Sequence, residues 1–126
     1  MNEPERDRFD AILETVIESL PPRIRGLLEE APVIVEDHPD PRIMAEMDLD
    51  PETDVLCGLH TGTPITERSV MDFLDEPETI HLFREGILEE AGTWTHVERE
   101  IRITLLHEIG HHFGLDEEDL TALGYE

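Results

Sequence analysis

Two histidines and a glutamate near the C-terminal end have the residue types and the spacing of a metal site. His107 and His111 lie four residues apart, so on a helix both rings occupy one face and can reach one ion at about 2.0–2.1 Å. Glu108 directly follows the first histidine, on the side where a water would lie. Zinc lowers the pKa of such a water toward about 7, and Glu108 can accept its proton during attack on a carbonyl.

A third protein ligand is expected, because catalytic zinc sites usually have three and leave the fourth position open. The helix itself cannot supply it. Gly114 comes three residues after His111 and lets the chain turn back, and the segment that follows, residues 115–119, is rich in carboxylates. A carboxylate of this segment is therefore predicted to complete the site, and Glu117 lies six residues after His111.

The segment from His107 to Glu117 resembles the HExxHxxGxxD signature of minimal, aspartate-type zincins among bacterial zinc metallopeptidase-like proteins. The stretches from Gly62 to Arg68 and from Thr79 to Leu105 are similar in order and spacing to the same family. The resemblance covers roughly the second half of the chain. It implies a zincin-like fold.

The same resemblance implies one zinc ion held by His107, His111 and the residue at position 117, with Glu108 as the catalytic acid-base. The family has aspartate where this chain has Glu117. The longer side chain can still ligate, and Asp116 is the alternative after a small shift. Position in the motif favours Glu117.

The histidines are predicted to lie on a long helix. From Thr95 to Phe113 glycine first appears at position 110, and apolar residues recur every four positions. Thr95 is predicted to cap this helix in a capping box with Glu98, and Gly114 to end it in a left-handed conformation. A last short helix is expected over residues 117–123.

The preceding chain is predicted to supply a small sheet and an N-terminal helix. Residues 9–20 have helical apolar spacing, and prolines at 21 and 22 end that helix and open a second, short one. Strands are predicted for residues 32–36, 54–60 and 79–83. We therefore expect an α+β, zincin-like domain spanning residues 1–126, with about three strands packed on the metal-binding helix.

Composition excludes several partners. The net charge is -23, with 32 acidic and 9 basic residues, and no basic cluster is present that could bind nucleic acid or an anionic membrane. Cys57 is the single cysteine, so a thiolate-rich zinc site is excluded and Cys57 is expected to be a buried, inert thiol. No secretory signal is recognised, and we expect a cytoplasmic protein.

Other polar residues are interpreted as structural. His112 is rotated by about 100° from His111 and should point away from the ion. His60 and His81 could approach the site from strands, but single strand histidines are usually partly buried polar residues. Four glutamates, Glu89, Glu90, Glu98 and Glu100, are interpreted as solvated charges.

Arg68 or Thr66 could border a substrate cleft, although turn chemistry alone explains the Gly-Thr-Pro sequence that precedes them. Tyr125 could stabilise an oxyanion, but a penultimate residue is expected to be mobile.

The leading hypothesis is a zinc metallopeptidase that acts on a peptide or protein substrate, with the strand at residues 79–83 as the edge that aligns it. The first alternative is a metal-binding protein that keeps the zincin scaffold without hydrolysing peptides. The second is an acidic interaction module in which the histidines are incidental.

Overall fold

The computed structural model describes residues 1–50, 52–61 and 79–122. The helices are α1 (Glu3–Ser19), α2 (Pro22–Leu27), α3 (Pro41–Glu46), α4 (Arg84–Ala91), α5 (Val97–Phe113) and α6 (Glu117–Ala122). The strands are β1 (Val33–Glu36), β2 (Gly58–Thr61) and β3 (Thr79–Phe83). The predicted α+β class is confirmed, as are the small sheet and the long C-terminal helix.

The sheet has the order β1-β3-β2, with β3 in the centre. Strand β1 runs parallel to β3, with Val33 opposite Ile80. Strand β2 runs antiparallel to β3, with Gly58 opposite Leu82. The prediction that residues 79–83 form an edge strand is therefore wrong, because β3 has a partner on each side. Among the strands that the structure describes, β2 is the antiparallel edge.

Helix α5 packs its apolar stripe into the centre of the molecule. Four side chains at four-residue spacing are completely buried: Val97, Ile101, Leu105 and Ile109. They share one core with residues of α1 and with Ile80 and Leu82 of β3. Burial of this stripe fixes the rotation of α5, so the residues flanking the stripe face β2 in a set direction.

Helix α1 begins earlier than the apolar spacing from Phe9 predicts. Asn2 accepts a hydrogen bond from the backbone N–H of Glu5, and the backbone N–H of Asn2 donates to the Glu5 carboxylate. This capping box satisfies N–H groups that the first helical turn leaves without partners. It extends the helix by six residues beyond its apolar stripe.

The predicted cap of α5 is wrong. Residues Trp94–His96 form a turn of 3₁₀ helix, so His96 occupies the cap position, and no side chain there accepts a hydrogen bond from the helix. The 3₁₀ turn moves the start of α5 two residues past Thr95. The predicted left-handed end at Gly114 is confirmed by φ 64° and ψ 35°.

The second strand begins later than predicted, at Gly58 instead of Asp54. The backbone of Leu56 and Cys57 lies against Gly86 of α4, where an added Cβ would collide with the Leu56 carbonyl. Leu56 and Cys57 thus pack onto α4 before the strand begins, and the backbone N–H of Asp54 is engaged in a turn with the Asp50 carbonyl.

Two helices were not predicted from the sequence. Helix α3 begins after Asp40, whose side chain caps it, and Pro41 is its first residue. Such a pair in a sequence indicates the start of a helix. Helix α4 begins directly after β3 without any side-chain cap. Across the described part of the chain, no helix combines the length and the apolarity that crossing a bilayer requires.

Candidate metal centre

The C-terminal half of α5 brings together His107, Glu108 and His111. The ring centroids of the two histidines are 4.2 Å apart, as expected for positions i and i+4 on one helix face. Both rings are exposed. The buried stripe that fixes the rotation of α5 therefore leaves these two side chains on its solvent-accessible flank.

Glu108 differs from the two histidines in being buried, with only 6% of its surface exposed. It lies under β2, where an added Cβ at Gly58 would be 3.3 Å from the Glu108 Cγ. Thr104, one helical turn earlier, is also buried under Gly58. The strand thus restricts the glutamate side chain to a narrow space beside the histidines.

The three side chains fit a metal ion in chemistry and in spacing. Their possible ligand atoms all lie within 4.8 Å of one another, and two atoms bound to one ion at about 2.0–2.1 Å are at most about 4.2 Å apart, so small side-chain rotations bring them to one ion. The two imidazoles are donors that suit zinc, and the Glu108 carboxylate beside them can serve as a further ligand or as a base for a water on the ion. This cluster can therefore hold a metal ion.

The chain turns back immediately after α5. The backbone N–H of Leu115 donates to the Gly110 carbonyl at 2.8 Å. A side chain at position 110 would place its Cβ 2.9 Å from the Leu115 carbonyl oxygen. Gly110 is therefore needed for close approach of the returning chain, while Gly114 supplies the left-handed residue. Together they allow the backbone of Leu115 to return to Gly110 of the histidine-bearing helix.

Asp116 has a structural role at the start of α6. Its Oδ1 accepts a hydrogen bond from the Asp119 backbone N–H at 2.9 Å, and its own N–H donates to Asp119 Oδ2 at 3.0 Å. This reciprocal pair caps the helix. Glu117 is the first residue of α6, and its side chain lies outside the described part of the structure.

A cleft of about 600 Å³ opens beside the cluster. Its lining includes Gly58 and Leu59 of β2 as well as His107, Glu108 and His111 of α5. Cys57 also faces it, and burial raises the pKa of its thiol to about 11, with smaller contributions from neighbouring glutamates. The thiol is therefore neutral near pH 7, which agrees with the predicted inert cysteine. The prediction that Cys57 is buried is wrong, because it is half-buried and lines the cleft.

The other histidines have separate positions. His112 is buried, with its ring against Phe113 at 4.1 Å, and it lies outside the metal-ligand cluster, as predicted. His81 lies 3.4 Å from the Glu36 carboxylate on the sheet face opposite the core residues Ile80 and Leu82. His60 is in β2, opposite Ile80. Thr66, Arg68 and Tyr125 are outside the described residues.

Sequence reasoning missed the residues that shape the site without contributing ligands. Gly58, Thr104 and Gly110 control how closely β2 and the returning chain approach α5. A glycine inside an apolar strand pattern indicates that another segment approaches the backbone closely. Gly58 in the apolar run of residues 55–59 is such a glycine. Glu90 and Glu100, interpreted as solvated charges, line the cleft.

Comparison with known proteins identifies the family. Residues 28–125 match the model of a protein family described as zincin-like metallopeptidase. The match covers all three strands of the sheet and the whole of α5, which carries the histidines. No curated protein matches the chain.

Proposed function

The chain belongs to the zincin-like metallopeptidase family, and from this premise we propose that it hydrolyses peptide bonds with one zinc ion held by His107, His111 and Glu117. A zinc ion bound by these residues would supply a positive charge that polarises the scissile carbonyl and makes water a better nucleophile near neutral pH. The observation that supports this proposal most is the cluster of His107, Glu108 and His111 at the wall of an open cleft.

Glu108 is the residue that moves the proton. Its carboxylate accepts a proton from the attacking water and then donates it to the nitrogen that leaves when the C–N bond breaks. Its burial beneath Gly58 supports this role, because a general base must stay within hydrogen-bond reach of one position. An exposed glutamate would sample many rotamers.

Glu117 is proposed as the third ligand in preference to Asp116. Asp116 is engaged in capping α6 through its Oδ1, and ligation by this oxygen would leave the Asp119 backbone N–H without its acceptor. Glu117 follows directly on the turn that Gly110 and Gly114 permit. Glutamate has a longer side chain than aspartate. This additional reach suits position 117, where the backbone is held at the start of α6 by the Asp116 cap.

Strand β2 is proposed to align the substrate. It is the antiparallel edge of the sheet formed by the described residues, and Gly58 and Leu59 line the same cleft as His107 and Glu108. An extended peptide can add to such an edge through backbone hydrogen bonds, and pockets for alternate side chains then provide specificity. This role was assigned to residues 79–83 from the sequence, and it passes to β2 because β3 is central.

Zinc content and peptide cleavage test the proposal together. We expect about one zinc per chain by mass spectrometry in the wild type and little in His111→Ala. The matched control is His96→Ala, which removes an exposed histidine outside the cluster. In a mixed peptide library, cleavage should be lost in Glu108→Gln although the zinc remains.

The same experiment separates the alternatives. Stoichiometric zinc without cleavage of any peptide would replace the peptidase by a metal-binding protein on a zincin scaffold. Loss of zinc in His96→Ala but not in His111→Ala would move the metal elsewhere. No zinc in the wild type would contradict the whole proposal.

A further inference from the structure

The cleft beside the histidines extends well beyond them along α5. Glu100 is seven residues before His107 and lines the same cleft. Seven residues correspond to two helical turns, or about 10 Å along the axis. The two residues therefore lie on the same face of α5, one at the reacting end of the cleft and one at its far end.

Glu90 contributes a second carboxylate from α4. Glu90 is exposed and Glu100 is half-buried. Within residues 1–50, 52–61 and 79–122, neither carboxylate has an ion pair or hydrogen bond to a cationic side chain. Their negative charge is thus available to a molecule in the cleft.

The charges of these two residues are felt inside the cleft. Burial is the main cause of the raised pKa of Cys57, and Glu90 and Glu100 follow it as the next contributors, ahead of Glu89. Cys57 lines the cleft itself. The negative potential of the two carboxylates therefore extends over the surface that a substrate would cover.

The lining of the cleft also includes exposed apolar side chains, and Ile103 lies between Glu100 and His107 on α5. Met47 is 41% exposed and Ile103 is 46% exposed, and both line the cleft. A long aliphatic stem that ends in a positive charge matches an apolar surface bordered by carboxylates. Lysine and arginine are the two side chains with this form.

We infer that Glu90 and Glu100 make the cleft selective for peptides that carry an arginine or lysine close to the scissile bond. This inference rests on the proposed function, which places the scissile bond beside His107 and Glu108. A residue one or two positions from that bond lies about 3–7 Å away along an extended chain. Its long side chain covers the remaining distance to Glu100.

The test measures binding, so it does not require turnover. The probes are hexapeptides in which arginine, or its neutral isostere citrulline, occupies each position in turn. Their dissociation constants are measured by calorimetry with zinc-loaded Glu108→Gln protein. We expect arginine to bind about tenfold more tightly than citrulline at one position. Adding Glu90→Gln and Glu100→Gln should reduce that difference to about twofold or less.

A matched control is needed because the whole chain is strongly acidic. Glu14→Gln with Glu18→Gln, added to the same Glu108→Gln protein, changes the net charge equally, but neither residue lines the cleft or contributes to the raised pKa of Cys57. The arginine preference should remain in this control. Equal binding of arginine and citrulline, a preference that survives the Glu90 and Glu100 substitutions, or its loss in the control would overturn the inference.

The wild type is assayed in parallel for cleavage of the same peptides. Cleavage without arginine preference would leave the peptidase proposal intact and refute the inference. Arginine preference that depends on Glu90 and Glu100, but without cleavage, would refute the peptidase proposal and support the selectivity of the cleft.

Discussion

Gly58 of β2 lies directly over Glu108 of α5. A Cβ added at Gly58 would be 3.3 Å from the Glu108 Cγ and 2.7 Å from the Thr104 Cγ2. The sheet and the metal-binding helix thus approach as closely as a glycine allows. The position of the Glu108 side chain therefore depends on the absence of a side chain at position 58.

Gly58→Ala is expected to push β2 away from α5. Overpacking of this kind usually costs about 1–3 kcal/mol of stability, measurable by chemical denaturation. Cleavage should decrease more than zinc content, because Glu108 is displaced while both histidines stay on the helix. Adding Thr104→Ser removes the nearest methyl group and should recover part of the loss.

Gly26→Ala is the control for this experiment. A Cβ at Gly26 has no atom within 4 Å, and Gly26 is inside α2, where alanine should stabilise the chain by about 0.5–1 kcal/mol. Unchanged stability and cleavage in Gly58→Ala would contradict the close approach of β2 to α5.

Glu117→Gln and Asp116→Asn should have different effects on metal binding. Glu117→Gln removes the proposed charged ligand, so zinc affinity should fall by at least about tenfold in a chelator competition assay. Asp116→Asn keeps an oxygen that can accept the Asp119 N–H and should retain zinc. The reverse order of affinities would assign the metal to Asp116.

The parts of the fold that the sequence predicted are those set by local patterns. The four-residue spacing of Val97, Ile101, Leu105 and Ile109 is visible in the sequence and predicts both the helix and its buried face. Gly114 likewise predicts the end of that helix, because the left-handed conformation that glycine adopts at a helix end is a local property.

The remaining features depend on contacts between distant segments. Strand order decides whether β2 or β3 is an edge, and single-strand patterns carry no such information. Residues 54–57 have strand-like composition, but the backbone of Leu56 and Cys57 packs against Gly86, which is distant in sequence. Likewise, Glu90 and Glu100 belong to separate helices, so only the tertiary structure brings them to one cleft.

Cys57 should react slowly with thiol reagents. The thiolate is the form of cysteine that reacts. With a pKa of about 11, the thiolate is about one part in a thousand of Cys57 at pH 8. The rate of alkylation by iodoacetamide should therefore rise about tenfold per pH unit from pH 8 to 10. A plateau below pH 9 would show that burial does not raise the pKa of this thiol.

Arg84 holds three segments together through two carboxylates. Its guanidinium donates to both Asp10 oxygens of α1, at 3.0 and 2.9 Å, and to Asp37 Oδ1 at 3.0 Å. Its side chain is 13% exposed. Arg84→Gln is therefore expected to lower stability by about 1–3 kcal/mol at pH 7. The control Arg102→Gln, at a more exposed pair with Glu98, should change it by less than about 0.5 kcal/mol.

The same network should make the protein sensitive to acid. Hydrogen bonds from Arg6 and then Arg84 hold the pKa of Asp37 below its ordinary value, against the opposing effect of burial. A carboxyl with a lowered pKa in the folded state stabilises the fold above its unfolded pKa of about 3.9, and this contribution is lost as the pH falls through the lower, folded value. Chemical denaturation between pH 7 and 2 should therefore show a steeper acid loss in the wild type than in Asp37→Asn, which has no proton to bind. Parallel curves for the two proteins below pH 4 would show that Asp37 keeps an ordinary pKa in the folded chain.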